Sequence, residues 1–563
     1  MSETNKDLTN HADDHANESR SRPPSKSESL KTESPPDLSD LATYENNSSS
    51  RQPEVARSEE PDIEPKVERP SRADAIATED YSVFTVGQKR GIIFAGSFAS
   101  WFSPMTGSIY FPALDRIASD LQVPDSAMSI TVTTYLIIQG LAPMMIAGFS
   151  DKAGRRPAYI LCFTIYIIAN LALGLQNNYV ALLVLRMLQS AGSSGTVALA
   201  NGLVGDLVTS SERGQYIAFA SLGSVLGPTL SPVIGGLLSQ YLDWHWIFWF
   251  LLILSGIFFV PFFLFLPETS RNIVGDGSIP PPWTSWNIAD QIRHRNRARS
   301  GITVDAEKLA AYRSNYRITF PNPLSTLVIF QDLEAVLILV ATGFSLACFY
   351  AISTGAATAL SDVYGFNEIQ IGLVFLSIGG GSLISAFTTG KVVDWNYARY
   401  ARRHGFPISK NRSTDLTDFP IESARVELGL PCFLLGALTV IGYGWMMNYN
   451  VSIAGPVIML FILGYGLIAG FQCLNVLMVD IYPSQATAVT AASNVVRCLL
   501  GAASSAAIIP MTEAMGNGWA YTTLALLFVL SCGGLLVIMK YGITWRRQSR
   551  TKEQEKQRRK AES

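Results

Sequence analysis

The amino-acid sequence predicts an all-α membrane protein with twelve transmembrane helices in two pseudo-symmetric six-helix halves. Of the 563 residues, 48% are hydrophobic and only 16% are charged, whereas about 25% are charged in an ordinary soluble protein. From about residue 90 onward, apolar runs recur that are long enough to cross a hydrocarbon core as helices. The Lys and Arg residues between these runs collect on alternate loops. A soluble protein would not need twelve such runs.

The apolar runs place each span in turn. Spans 1 to 6 are predicted near 90–111, 129–149, 158–176, 180–204, 214–238 and 246–266. Spans 7 to 12 are predicted near 331–353, 367–390, 427–447, 452–476, 486–510 and 519–541. The predicted domains are a disordered cytoplasmic tail over 1–88, an N-terminal half over 89–267, a central cytoplasmic loop over 268–330, a C-terminal half over 331–541 and a basic cytoplasmic tail over 542–563.

The N-terminal tail and the cysteines exclude several other classes of protein. Residues 1–80 contain one aromatic residue, Tyr44, so they cannot bury enough apolar surface to offset the entropy of ordering. The same segment has no apolar core region, so no cleavable signal peptide is expected. A net charge of -2 argues against nucleic acid as a partner. The six cysteines show no metal-ligand spacing, so neither a metal site nor a disulfide framework is predicted.

The distribution of Lys and Arg predicts the orientation in the bilayer. If the N-terminus is cytoplasmic, the outside loops contain a single cation, Arg116, and nearly all others lie inside. This asymmetry is the positive-inside rule, so both termini are expected in the cytoplasm.

The two halves repeat short motifs at equivalent places. Span 4 ends in Gly205-Asp206 and span 10 in Val479-Asp480, and the exits of spans 2 and 8 both place an Asp after a Gly, at Asp151 and Asp394. Two six-helix repeats with a site between them are typical of carriers that expose the site alternately to each side of the membrane.

The corner after span 2 carries the most specific motif. It contains Gly148, Asp151, Gly154, Arg155 and Arg156, and it resembles the G-x-x-x-D-x-x-G-R-[RK] signature of the major facilitator superfamily, with the Asp one position earlier. The glycines permit a tight corner, and Asp151 is expected at a neighbouring helix N-terminus, where negative charge is stabilised. We interpret this corner as the gating motif.

Three further segments are similar to the same superfamily. The run from Leu182 to Gly192, which includes Arg186, resembles its second motif, and Leu266-Pro267-Glu268-Thr269 closes span 6 as in many drug:proton antiporters. Span 5 is similar to the antiporter motif, with small or helix-breaking residues at Gly223, Gly227, Pro228, Gly235 and Gly236. Such residues allow close helix packing, and span 8, with Gly379, Gly380 and Gly381, is the expected partner.

Segments of the second half narrow the resemblance. Three segments look like the fungal quinidine-resistance branch of the twelve-span drug:proton antiporters, which also contains polyamine, dityrosine and citrate exporters. They are His404-Gly405-Phe406-Pro407, Val479-Asp480-Ile481-Tyr482-Pro483 and the run from Asn494 to Gly501. The resemblance implies efflux of small organic molecules across the plasma membrane, driven by the proton gradient without a cofactor. A monomer is expected, and the vacuolar membrane remains an alternative location.

Two arginines are the leading candidates for substrate binding or coupling. Arg186 and Arg497 lie well inside apolar spans, one in each half, and a charge at membrane depth is costly unless it faces a cavity or a partner. The alternative is that each one steadies the helix bundle. Polar residues that could complete a cavity are Tyr135, Gln139, Asn201, Gln472, Asn475 and Asn494.

No carboxylate is predicted at mid-membrane, so the proton site of an antiporter cannot be assigned. An organic-acid exporter without proton antiport therefore stays open, as does a transporter-like sensor that signals through the N-terminal tail and the central loop. An enzyme is not expected, because no nucleophile–base set, phosphate loop or metal cluster is present in the sequence.

Overall fold

The computed structural model describes residues 82–208, 213–282, 285–288, 292, 329–405, 419–482 and 486–562. Every regular element in these ranges is a helix. Most of the tail over 1–88 and most of the central loop over 268–330 lie outside the described residues. We call the side that is predicted to be cytoplasmic the inner side and the opposite side the outer side.

Long helices occupy all the predicted spans. Spans 1 to 6 are Val86–Ser108, Asp125–Ala153, Arg155–Leu175, Tyr179–Leu207, Arg213–Tyr241 and His245–Phe265. Spans 7 to 10 are Leu333–Tyr364, Glu368–His404, Ile421–Asn448 and Ala454–Ile481. The last helix is Ala486–Glu562, and it is interrupted at Gly516, where φ is 75°, so span 11 precedes this glycine and span 12 follows it. Eight of the described helices are long and apolar enough to cross a membrane. The predicted fold class of twelve spans is confirmed.

Several helices continue beyond the apolar runs that predict them. Span 8 continues to His404 and the last helix to Glu562, both on the inner side, while span 7 reaches Tyr364 on the outer side. Hydropathy marks only the length that lipid covers, and a helix can continue into water when its polar side chains are solvated. Short helices also lie at Phe111–Ala113 and Leu114–Leu121, between spans 1 and 2, and at Arg271–Val274, after span 6.

The two halves meet through spans 2 and 11 and through spans 5 and 8. The Thr133 hydroxyl of span 2 donates to the Ala502 carbonyl of span 11 at 3.2 Å. On the other side of the interface, a Cβ added to Gly379 of span 8 would lie 2.6 Å from the Thr229 Cα of span 5. The backbones of spans 5 and 8 are therefore in direct contact, because no side chain separates them at this level.

The small residues of span 5 contact two helices rather than one. Gly223, Gly227 and Gly235 face span 1, where a Cβ at Gly227 would lie 2.9 Å from the Met105 nitrogen, and Gly236 faces the Glu368 carbonyl of span 8. Pro228 lies inside the helix and is half-buried. The predicted packing of span 5 on span 8 holds for Gly379.

The other two glycines of that predicted contact face elsewhere. Gly380 and Gly381 approach Phe461 of span 10 instead of span 5. The reason is geometric: successive residues of a helix point about 100° apart, so three consecutive glycines cannot face one neighbour.

Candidate functional site

The corner between spans 2 and 3 is an ion-pair network. The Arg155 Nε atom donates to the Asp206 carboxylate of span 4 at 2.8 Å, and its Nη1 atom donates to Asp151 at 2.8 Å. The side chain of Asp206 is 10% exposed, whereas that of Asp151 is 54% exposed. Gly148 lies one turn earlier in span 2 and is half-buried. The buried partner of Arg155 is therefore Asp206, and Asp151 forms the exposed side of the pair.

The N-terminus of span 3 is capped by Glu268. This buried carboxylate, which follows span 6, accepts hydrogen bonds from the backbone N–H groups of Arg155 at 2.8 Å and Arg156 at 3.1 Å. It also accepts from Thr269 and Ser270 at 3.0 Å each. Burial raises the pKa of Glu268, and the backbone donors oppose that shift. The expectation that Asp151 lies at a neighbouring helix N-terminus stays a prediction.

Gly154 makes this cap possible. Its φ of 110° is a conformation that L side chains rarely adopt, and an added Cβ would collide with the Glu268 carboxylate. The Arg156 guanidinium donates to the Phe263 carbonyl of span 6 at 2.8 Å and lies 5.0 Å from the Phe263 ring centroid. The corner is thus held to span 6 and the segment after it by one anion, Glu268, and one cation, Arg156.

The C-terminal half repeats the buried ion pair at the equivalent place. Arg425, near the start of span 9, binds Asp480, at the end of span 10, through Nε at 3.2 Å and Nη2 at 3.1 Å. Spans 9 and 10 correspond to spans 3 and 4, so this pair is the counterpart of Arg155 and Asp206. The repeat that the sequence suggests at Asp206 and Asp480 is therefore also present in the side-chain contacts.

Arg186 lies inside the N-terminal half between two aromatic rings. Its Cζ atom is 4.3 Å from the Tyr110 ring centroid and 4.2 Å from that of Tyr135, and the residue is 1% exposed. Its Nη1 atom donates to Gln189 at 2.7 Å. Among the described carboxylates, none forms an ion pair with Arg186. Cation–π contacts and a neutral amide therefore replace the missing anion.

A chain of hydrogen bonds holds these partners in place. Gln189 donates to Asn170 at 2.7 Å, Asn170 donates to the Tyr166 carbonyl at 2.8 Å, and the Tyr135 hydroxyl donates to the Ser103 carbonyl at 3.2 Å. These hydrogen bonds join span 4 to span 3, and span 2 to span 1. Arg186 and Tyr135 are enclosed in this conformation, so a role for them in substrate binding stays a prediction.

Arg497 lies where the two halves meet and has a different environment. It is half-buried in span 11, with Cζ 4.0 Å from the Phe471 ring centroid of span 10. In the described part of the chain, its guanidinium has no hydrogen bond and no ion pair. Tyr350 of span 7 interacts electrostatically with both Arg497 and Arg186. Arg497 therefore has no anionic partner among the described residues.

Polar groups from three spans surround this arginine. Asn494 of span 11 donates to the Gln139 carbonyl of span 2 at 3.0 Å, and the Tyr350 hydroxyl reaches the Gln139 amide oxygen at 3.5 Å. We call Gln139, Tyr350, Phe471, Asn494 and Arg497 the central cluster. Sequence reasoning identified three of its members and missed Tyr350 and Phe471, because aromatic residues are common throughout membrane spans.

The remaining candidates lie outside the central cluster. Gln472 and Asn475 are half-buried on span 10, and Asn201 is exposed on span 4. Within the described ranges, no group of His, Cys, Asp or Glu residues could hold a metal ion.

The halves also touch on the outer side. The Thr358 hydroxyl of span 7 donates to the Asp115 carboxylate of the short helix Leu114–Leu121 at 3.0 Å, and Arg116 lies 3.8 Å from Glu368 of span 8. Burial raises the pKa of Asp115 to about 6, and the hydrogen bond from Thr358 acts in the opposite direction. The outer contact therefore contains a carboxyl group that titrates in the mildly acidic range.

Comparison with known proteins decides the family. The family model described as Major Facilitator Superfamily matches residues 96–506. The chain belongs to this superfamily. The solved structure of the xylose transporter XylE from E. coli, in a partially occluded inward-open conformation, has the same fold: it aligns with a TM-score of 0.56 at 14% sequence identity over 80% of this chain and 97% of that chain.

Three curated relatives connect this superfamily member with fungi. MFS-type transporter phiD of a fungal species is 53% identical over 84% of this chain and 71% of that protein. MFS-type transporter tstD of Talaromyces stipitatus is 48% identical over 92% of this chain and 94% of that protein. Citrate exporter 1 of Aspergillus niger is 32% identical over 85% of this chain and 91% of that protein. The predicted resemblance to fungal transporters is confirmed.

Proposed function

We propose that this superfamily member is a monomeric, proton-coupled exporter of small organic molecules in the plasma membrane. We further propose that an anionic or weakly acidic metabolite is its principal substrate. The observation that carries this proposal is Arg497, a half-buried guanidinium between the halves with no anionic partner in the described part of the chain.

An anion would supply what Arg497 lacks. A buried cation left without a partner costs several kcal/mol, and an arriving carboxylate would offset that cost. The planar guanidinium can bind a carboxylate through two parallel hydrogen bonds. Gln139 and Asn494 add amide groups from both halves, and the name of the relative Citrate exporter 1 supports the same class of substrate.

Substitution of Arg497 tests the substrate charge. Arg497→Lys keeps the charge but loses the fork geometry, so we expect a weaker apparent affinity for acids at an unchanged protein level. Arg497→Gln should nearly abolish acid export. The measurement is efflux of labelled citrate and of a labelled monocarboxylic acid from cells with matched surface levels of each variant.

Two control variants separate binding from folding. Arg402→Gln removes an exposed cation of the inner side and should leave export unchanged. Arg186→Gln removes a cation enclosed by Tyr110 and Tyr135 and should lower the amount of folded protein. Wild-type acid export by Arg497→Gln would reject an anionic principal substrate and favour broad drug:proton antiport.

A proton-independent exporter of the same acids is the second candidate. Buried and half-buried carboxylates of the described spans lie near helix ends: Glu334 and Glu422 lie in the first turns of spans 7 and 9, and the half-buried Asp480 lies in the last turn of span 10. A protonophore added to citrate-loaded vesicles distinguishes the two candidates. Loss of uphill transport supports proton antiport, and unchanged transport supports the second candidate.

A further inference from the structure

An apolar cavity of about 740 Å³ lies between spans 1 and 5. Its walls include Phe94 of span 1, which is 73% exposed, and Leu226 and Leu230 of span 5, which are 38% and 45% exposed. A patch of exposed apolar side chains is typical of a surface that contacts lipid, so we interpret this cavity as a groove on the membrane side of the protein. We call it the span 1–5 groove.

One end of the groove carries a cation. Arg90 lies in the first turns of span 1 on the inner side, next to Tyr216 of span 5, and both line the groove. In the described part of the chain, the Arg90 guanidinium has neither a hydrogen bond nor an ion pair. The groove is therefore apolar along its length and positively charged where it meets the membrane surface.

The dimensions of the groove match one leaflet. Trp101, the groove residue of span 1 farthest from Arg90, lies about 16 Å along the helix from it at 1.5 Å per residue. Half of a typical hydrocarbon core is about 15 Å thick. An acyl chain that starts at the level of Arg90 would thus fill the groove as far as the bilayer centre.

We propose that the span 1–5 groove binds an anionic glycerophospholipid of the inner leaflet, with its phosphate on Arg90 and an acyl chain against Phe94, Leu226 and Leu230. Cationic pockets between helices on the cytoplasmic side are suited to anionic lipid headgroups. The proposal rests on the predicted orientation and does not depend on the transported substrate.

The position of the groove connects this lipid with transport. Gly223, a residue of the antiporter motif, lines the groove and lies against the Ser97 carbonyl of span 1. A lipid seated there contacts both helices at a place where their backbones approach closely. It therefore stabilises the packing of span 1 on span 5.

Lipid binding by the purified full-length protein tests the proposal. Phosphatidylserine should raise the thermal unfolding midpoint in detergent micelles more than phosphatidylcholine does, and native mass spectrometry should show phosphatidylserine retained. Arg90→Gln should weaken the apparent affinity for phosphatidylserine about fivefold, as expected for one cation at an anionic surface, and leave that for phosphatidylcholine unchanged. Leu226→Trp, which fills the groove, should weaken binding of both lipids.

Arg402→Gln, which removes an exposed cation of the other half, serves as the matched control and should bind both lipids as the wild type does. Equal stabilisation by the two lipids, or wild-type phosphatidylserine binding by Arg90→Gln, would overturn the proposal. A dimer that dissociates on Leu226→Trp would also overturn it, because a second copy of the chain would then occupy the groove.

Discussion

Three arginines, Arg155, Arg186 and Arg497, differ in the partners that stabilise their charges. Arg155 binds two carboxylates and Arg186 lies between two tyrosine rings, whereas Arg497 contacts one ring and, within the described ranges, no anion. A charge inside a membrane protein needs a partner, so the least satisfied of the three is the one with capacity left for a ligand. Burial alone would have selected Arg186, which is the most enclosed.

Asp115 provides a prediction about pH at the scale of one residue. Burial raises its pKa to about 6, so this conformation favours the protonated form more than a solvent-exposed Asp does. The contribution of Asp115 to the outer contact is complete below its unfolded pKa of about 4 and is lost as the pH rises through about 6. Lowering the external pH from 7 to 5 should therefore stabilise the closed outer contact.

The measurement is cross-linking of cysteine pairs placed across the outer side, followed against external pH. The charged neighbours that raise the pKa of Asp115 are two carboxylates, Asp125 and Asp362. The nearby cation Arg116 lies 3.8 Å from Glu368. Asp115→Asn is neutral at every pH and should remove the pH dependence between 5 and 7. The same pH profile in Asp115→Asn and in the wild type would show that another group is responsible.

At the scale of an element, each half has a contact between the segment at the end of its last span and the start of its third span. The side chain that makes this contact is an anion in the first half and a cation in the second. In the first half, Glu268 after span 6 caps the N-terminus of span 3. In the second half, Arg546 in the equivalent position after span 12 binds Glu422 of the first turn of span 9 at 3.0 Å and donates to the Phe419 carbonyl. Both halves therefore have this contact, with the signs of the two charges exchanged.

The inner corner predicts unequal effects for its two aspartates. Asp206→Asn leaves Arg155 buried without its main partner, and loss of one member of a buried pair costs about 3–5 kcal/mol. Asp151→Asn breaks an exposed pair worth about 1 kcal/mol or less. Thermal unfolding of the two purified variants checks this order.

Transport can respond differently from stability, so citrate efflux is measured on the same variants. Asp151→Asn is expected to insert normally and to transport less, if the corner acts as the gate that its motif predicts. If Asp151→Asn exports at the wild-type rate, the corner acts only in folding and topology. A larger loss of stability in Asp151→Asn than in Asp206→Asn would contradict the burial argument.

At the scale of the whole molecule, the sequence was sufficient for the spans but not for their partners. Apolar length determines where a helix crosses lipid, so all twelve spans were predictable. The Glu268 cap joins residues 113 positions apart, and the contact of Thr358 with Asp115 joins residues 243 positions apart. No periodicity in a single sequence records such pairs. The central cluster was predictable only where a residue is unusual in lipid, as Arg497 is and Phe471 is not.

The seam between spans 5 and 8 predicts an effect on turnover. At Gly236, Gly372 and Gly379, backbone faces backbone across the two halves, so one half can rotate on the other with little side-chain repacking. Gly379→Ala would place a Cβ 2.6 Å from the Thr229 Cα, and overpacking of this kind costs about 1–3 kcal/mol. We expect a lower maximal rate of export of the transported substrate with an unchanged apparent affinity.

Gly256→Ala in span 6 is the matched control, since an added Cβ there meets nothing within 4 Å. It should export at the wild-type rate. An unchanged maximal rate in Gly379→Ala would mean that the seam does not limit the conformational step. Lower affinity at an unchanged rate would instead place the effect at the substrate site.

The Glu268 cap has a consequence for biosynthesis. The acceptor for the first backbone amides of span 3 is the Glu268 carboxylate, which is synthesised only after span 6, more than a hundred residues later. Until then the corner after span 2 lacks its cap and its turn at Gly154 lacks its support. Chains are made from the N-terminus, and domains generally fold as units during synthesis. The six-helix half is therefore completed by its own last segment, before any part of the second half has been translated.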